Sequence, residues 1–189
     1  MGKNTRVLIM VQAAIFAAVA MVLSMLPTTI GTSLTISLGM VPLTIISLRA
    51  GTKAGLLAGL IWGLLHFVTG NVMILGALQG FIEYIIAFIF AGFAGIIAER
   101  FHSSVKRKSF YLILSVFIGT FARFFWHFIA GVVYWGEYAP EGWSPLYFSF
   151  VMNGASALLT VGVSAIVLVI LYAVAPVIFK DESIVDSSI

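Results

Sequence analysis

The stretch VMILGALQGFIEYIIAFIFAGFAGIIA (72–98) decides the fold of this chain. It is continuously apolar except for Gln79 and Glu83, and it exceeds the roughly 20 residues a helix needs to cross a bilayer. Membrane β-strands alternate polar and apolar residues, and this run does not, so it reads as a helix. Working outward, further apolar runs lie at about 6–26, ended by Pro27, and at about 35–48, a short run in which Pro42 predicts a kink. Others lie at about 54–69, 109–135 and 145–178. The expectation is an all-α membrane protein, a six-helix transmembrane bundle forming one integral-membrane domain over residues 1–189. TTIGTS (28–33) between the first two runs is polar and contains glycine, so it reads as a loop.

Composition agrees. The chain of 189 residues is 61% hydrophobic and 9% charged, with a mean hydropathy of +1.14. A soluble domain carries about 25% charged residues, so a soluble globular enzyme and a disordered chain are both excluded. There are no cysteines, which removes disulfides, thiolate metal sites and cysteine nucleophiles.

The basic residues set the orientation. Lys3, Arg6, Arg49, Lys53, Arg100, Lys106, Arg107, Lys108 and Lys180 all fall at one set of helix ends. The other ends, Pro27–Thr35, Thr69–Asn71 and Gly136–Ser144, carry no Lys or Arg. The positive-inside rule makes the basic side cytoplasmic, with both termini inside, and that alternation requires an even number of spans. Residues 1–26 could be read as a signal peptide cut after Ala18-Val19-Ala20, but the apolar run continues to Leu26. A retained first helix is expected.

Glycines 51, 55, 59 and 63 form a ridge at four-residue spacing, which suits close helix packing. Ala13 with Ala17, and Ala14 with Ala18, form small-xxx-small pairs on the first helix that could face a partner protein.

The informative residues are polar ones inside the spans. A charged group at a helix centre costs about 2.5–3.5 kcal/mol on insertion scales, and such groups mark functional sites by default. Here they are Glu83 and Arg123, accompanied by His127, Asn153, His66 and Gln79. From the helical rise of 1.5 Å per residue, Glu83 lies ~16 Å from the outer end of its run and His127 and Asn153 ~12 Å from theirs, a common level in the outer half of the membrane. Faces agree: Arg123, His127, Gly131 and Tyr134 or Trp135 share a stripe, as do Ser149, Asn153, Ser156 and Thr160. Gly76, Gln79, Gly80 and Glu83 share another, with Tyr84 beside them. An interfacial aromatic belt accounts for Tyr138 and Trp143 but not for aromatics adjoining a buried carboxylate. His66, near its helix end, reads as an interfacial residue.

A carboxylate, an imidazole, an amide and aromatic walls suit a flat polar heteroaromatic ligand, with Glu83 available to balance a positive charge. The competing reading is a Glu83–Arg123 ion pair that staples two helices. No GxxxxGK[ST], HExxH or GxSxG motif occurs, and no nucleophile or metal cluster accompanies the polar set. The chain is therefore not expected to be an enzyme or to carry a cofactor, a metal or nucleic acid.

RAGTKAGLLAGLIWGLL (49–65), GFIEYIIAF (80–88), RFFWHFIAGVVYWGEYAPEGW (123–143) and SFVMNG (149–154) resemble the substrate-binding S components of energy-coupling factor (ECF) transporters, most closely the thiamine-specific ones. The similarity spans about residues 6–178. The resemblance implies six helices in the cell membrane, with thiamine bound near the outer face under the 27–35 loop. Positions matching the pocket are Glu83, Tyr84, Arg123, His127, Gly131, Trp135 and Asn153. It also implies that Ala14 and Ala18 dock a transmembrane coupling subunit driven by two cytoplasmic ATPases. Where some members place aromatic residues, this chain has Ser33, Met73 and Phe148, which makes the expected pocket less aromatic. Alternatives are another vitamin, such as riboflavin or a thiamine precursor, or a small intramembrane enzyme using Glu83 and His127.

Overall fold

Five helices in the computed structural model, which describes residues 3–30 and 34–180, are long and apolar enough to cross a membrane. They are α1 (Lys3–Ser24), α2 (Met40–Val68), α3 (Ala77–Ser103), α4 (Lys108–Tyr134) and α5 (Pro145–Val174). Between α1 and α2 the segment read as a loop forms a short antiparallel hairpin of β1 (Thr29–Ile30) and β2 (Leu34–Thr35), with Thr29 opposite Thr35. Ser33 lies outside the described residues. The fold is all-α in class, a multi-pass membrane architecture.

Helix α2 is folded back on itself. Gly51 has φ +80° and ψ −179°, a left-handed region that glycine enters without steric cost. Beyond it the chain reverses. A Cβ on Gly55 would meet the Ser47 side chain, and one on Gly39 would meet the Trp62 ring. In a straight helix residues 39 and 62 would stand ~34 Å apart at 1.5 Å per residue. The break expected between the 35–48 and 54–69 runs therefore falls at Gly51, and no kink appears at Pro42. Pro42 sits in the first turn of α2, where its missing N–H has no intrahelical partner to lose. The helix also begins later than residue 35, because the Thr35 and Ser37 amides are already engaged. They donate to Ser156 Oγ (3.1 Å) and Thr160 Oγ1 (3.0 Å) on α5.

The glycine ridge packs inside the molecule. Cβ atoms at Gly55, Gly59 and Gly63 would strike the backbone oxygens of Gly92, Phe88 and Tyr84, so α2 and α3 meet backbone to backbone. Helix α3 is irregular along this contact: Phe81–Ile86 widens to a π-helix and Gly92–Ile97 tightens to a 3-10 helix. The run expected from residue 72 becomes helical only at Ala77, since the Gln79 side chain bonds Met73 O and Leu75 N and holds that segment as a loop. On α1, Ala13, Ala17 and Ala20 are fully buried in the core, while Ala14 and Ala18 face outward. Ser144 caps α5 by accepting the Tyr147 N–H (3.2 Å), with Pro145 at the first helical position.

Basic residues gather at the end of the bundle where α2 reverses. Arg49 donates to Gln12 Oε1 (3.2 Å) and to Ile178 O (3.2 Å). His102 Nε2 lies 2.8 Å from Leu48 O. Lys108 Nζ donates to Phe101 O (2.5 Å) and lies over its ring. The hairpin and the polar residues of the spans lie at the opposite end.

The α2–α3 contact leaves no room for a methyl group. Gly59→Ala is expected to destabilise the protein by about 1–3 kcal/mol, the usual cost of overpacking, lowering the thermal midpoint in detergent. Gly162→Ala, whose Cβ would meet nothing within 4 Å, is expected to melt as the wild type does.

Candidate functional site

Glu83 stands in the π-helical turn of α3 and is buried, 7% exposed. A π-turn inserts one extra residue and so re-aims the side chains around it. Its carboxylate is held from two sides: Oε1 accepts the Trp135 indole N–H (2.6 Å) and Oε2 accepts an N–H of Gln79 (2.6 Å). Both donors are neutral. Among the described residues Glu83 makes no ion pair, so the stapling pair with Arg123 is absent.

Glu83 borders a cavity of about 470 Å³, within the ordinary range for small-molecule sites. From α3 come Glu83 and Tyr84; from α4 His127 and Gly131, with Trp135 capping its end; from α5 Phe148, Ser149, Met152 and Asn153. Thr35 of β2, Met73 and Tyr138 complete the wall. Six of the seven residues expected at the site meet here. Tyr84 accepts the Met73 N–H at its hydroxyl (2.9 Å) and stacks on Phe88 at 6.1 Å. Asn153 donates from its amide nitrogen to Ser149 O and Oγ, both at 3.1 Å, and its carbonyl oxygen has no donor among the described residues. Gly131 serves chiefly to let α5 approach, since a Cβ there would meet Ser149 Oγ and Asn153 Nδ2.

Arg123, the seventh, lines a second cavity of about 420 Å³ that shares Thr35, Met73, Tyr84, His127 and Asn153 with the first. Its guanidinium is buried, donates to Ser37 Oγ (2.6 Å), and lies 4.2 Å from the Phe88 ring centre, 4.9 Å from Trp62 and 5.4 Å from Phe124. Aromatic faces thus do for this cation what a carboxylate does elsewhere. His127 packs between Phe88 (6.3 Å) and Phe124 (5.6 Å), and its Nε2 is buried without a hydrogen bond.

Two expectations are corrected. His66 is buried rather than interfacial, its Nδ1 2.9 Å from Asn71 O, and it lines the second cavity. Tyr138, assigned to the aromatic belt, lines the first cavity and packs on Trp135 at 5.3 Å. Sequence reasoning did not single out Thr35 or Met152. Met152 adjoins Asn153, and its period gave the only signal.

The site combines a buried carboxyl group that makes no ion pair among the described residues with aromatic walls and an amide oxygen that meets no donor there. That is a receptacle for a planar, positively charged molecule with a hydrogen-bonding edge.

Comparison with known proteins gives the same direction. A family model described as "Thiamine transporter protein (Thia_YuaJ)" matches residues 10–180. The thiamine transporter ThiT of Lacticaseibacillus paracasei is 36% identical over 188 residues, covering 95% of this chain and 94% of that protein. ThiT of Bacillus subtilis is 30% identical over 190 residues, covering 96% and 99%. A solved structure of ThiT from Listeria monocytogenes superposes with a TM-score of 0.90 at 48% identity, covering 93% of this chain and 98% of that one.

Because Arg123 has no carboxylate partner among the described residues, it is not expected to staple the bundle. Purified, ligand-free Arg123→Met is expected to unfold at a temperature no lower than the wild type. A fall of several degrees in the thermal midpoint would show that the guanidinium holds the helices together.

Proposed function

The chain belongs to the thiamine transporter protein family, and from that premise we propose that it binds thiamine in the Glu83 cavity as the vitamin-specific membrane subunit of an ATP-driven importer of the ECF type. One observation carries the assignment: the carboxylate of Glu83 is buried, both its oxygens are held by neutral donors, and no cation among the described residues pairs with it. A buried charge without a partner is costly. Thiamine brings a permanently charged thiazolium and an aminopyrimidine, and either suits this carboxylate. Arg123 biases the choice. A fixed cation in the adjoining cavity repels a second positive centre, so the thiazolium lies on the Glu83 side. Tyr84, His127 and Trp135 then flank the rings, Gly131 keeps the wall thin, and the free oxygen of Asn153 takes a polar edge.

The two limbs of α2 give the bundle six membrane segments in this reading. The basic end, with Arg49, Arg100 and Lys108, faces the cytoplasm under the positive-inside rule, placing both termini inside and the cavity outside. The outward line of Ala14 and Ala18, flanked by exposed Val7, Val11, Ile15 and Val22, is the surface for a transmembrane coupling subunit, which two cytoplasmic ATPases would drive. A different vitamin is the second reading because Met73, where some family members carry an aromatic ring, and Phe148, which keeps the ring but lacks a hydroxyl, both line the cavity. A competition panel of vitamins against labelled thiamine separates the two.

Glu83→Gln keeps the size of the side chain and removes its charge. Losing one partner of a buried charge pair costs about 2–5 kcal/mol, so thiamine affinity is expected to fall at least roughly thirtyfold, read by calorimetry on the ligand-free protein. Unchanged affinity would contradict the assignment. Replacing Ala14 and Ala18 together by Leu is expected to abolish ATP-driven uptake in vesicles holding the full complex while leaving thiamine affinity unaltered; uptake at the wild-type rate would remove that surface from the interface.

A further inference from the structure

Gln79 is the most completely engaged side chain at the site, and no exposed surface explains it. It is 0% exposed, one helical turn before Glu83. Its amide nitrogen donates to Glu83 Oε2 (2.6 Å) and to Met73 O (3.2 Å), and its amide oxygen accepts the Leu75 N–H (3.0 Å). Both N–H groups and the oxygen are therefore used. The arrangement is directional: turned over, the amide would set its oxygen against a carboxylate and a carbonyl, three acceptors with no hydrogen among them.

The loop it holds is part of the pocket. Met73 lines both cavities, and its backbone N–H is bonded to the Tyr84 hydroxyl (2.9 Å). The same loop is tied to α2 by the His66 contact with Asn71 O (2.9 Å). A single amide thus joins the charge that reads the ligand to the strap that borders the ligand's space.

We infer that Gln79 is a positioning residue for thiamine binding, orienting the Glu83 carboxylate and latching the Met73–Leu75 strap over the pocket through one amide group. The inference rests on the thiamine reading of the Glu83 cavity. Carboxylate orientation and strap closure are coupled in it. When Gln79 is lost, Glu83 regains rotamer freedom and the strap loses two of its bonds together, so bound vitamin leaves faster.

A double-mutant cycle in thiamine affinity tests it. The four proteins are wild type, Gln79→Met, Glu83→Gln and the double variant, purified ligand-free and titrated by calorimetry, with washout of labelled thiamine giving the dissociation rate. Gln79→Met is expected to weaken binding about tenfold or more, the usual weight of a hydrogen bond to a charged group, chiefly through faster washout. On the Glu83→Gln background the same change is expected to cost several-fold less, because the charge it orients is gone and only the two strap bonds remain to be lost. Losses that multiply would mean that Gln79 acts on binding independently of the Glu83 charge, and would overturn the inference, as would unchanged affinity of Gln79→Met. Should Gln79→Met fail to fold, Gln79→Glu runs the same cycle. It keeps the length and the acceptor for Leu75, sets two carboxylates side by side in the single variant, and relieves that repulsion in the double one. Failure of the underlying reading is distinguishable, since Glu83→Gln alone would then leave thiamine affinity at the wild-type value.

Discussion

A carboxylate held in the apolar interior by two neutral donors is the constraint around which this molecule is arranged. Hydrogen bonds from Gln79 and Trp135 satisfy the oxygens of Glu83 but do not cancel its charge. The cation that could cancel it, Arg123, is kept aside by Ser37 and by the faces of Phe88, Trp62 and Phe124. Collapse of the two into an ion pair would leave nothing for a cationic ligand to do. Separation leaves the two groups on the walls of two cavities that share Thr35, Met73, Tyr84, His127 and Asn153, with the ring of Phe88 packed against both Tyr84 and the guanidinium.

Backbone irregularity delivers the side chains to this space. The glycine ridge of α2 lets α3 approach to backbone contact at Tyr84, Phe88 and Gly92, and α3 departs from α-helical winding on both sides of that contact. The π-turn carries Glu83 and Tyr84, in keeping with the frequency of such turns at functional positions. The reversal at Gly51 brings Trp62 back alongside the start of α2, where it stands under Arg123 and donates to Ser24 Oγ at 3.0 Å. On the other side, the hydroxyls of Ser156 and Thr160 fasten the hairpin to α5, so Thr35 can form one wall of the cavity.

The sequence was most legible where a residue violated its surroundings. Glu83, His127 and Asn153 stand out in apolar runs, and helical spacing links His127 to Gly131 and Trp135; all five line one cavity. It was least legible where side chains compete with the backbone. Residues 72–76 have helical hydropathy, but the Gln79 amide takes their polar groups and holds a loop. Thr35 reads only as the boundary between the 27–35 loop and the 35–48 run, because nothing in its neighbourhood announces that a hydroxyl more than a hundred residues away takes its N–H. Tyr138 has the composition of a belt residue and was assigned to one; only the turn Gly136–Tyr138 brings it against Trp135. Arg123 lies on the expected stripe, yet stacking on rings turns it into the second cavity, a preference that spacing does not encode.

The bond between Trp135 and Glu83 has a consequence of another kind. The chain has four tryptophans, and of these Trp135 is the one on the wall of the first cavity. Trp62 is sealed in the core, Trp126 packs edge-on to Phe90, and Trp143 packs on Tyr147. The excited state of an indole responds to the field at its nitrogen, and here that nitrogen donates directly to the Glu83 carboxylate. On the reading proposed above, the protein would carry its own optical reporter of occupancy.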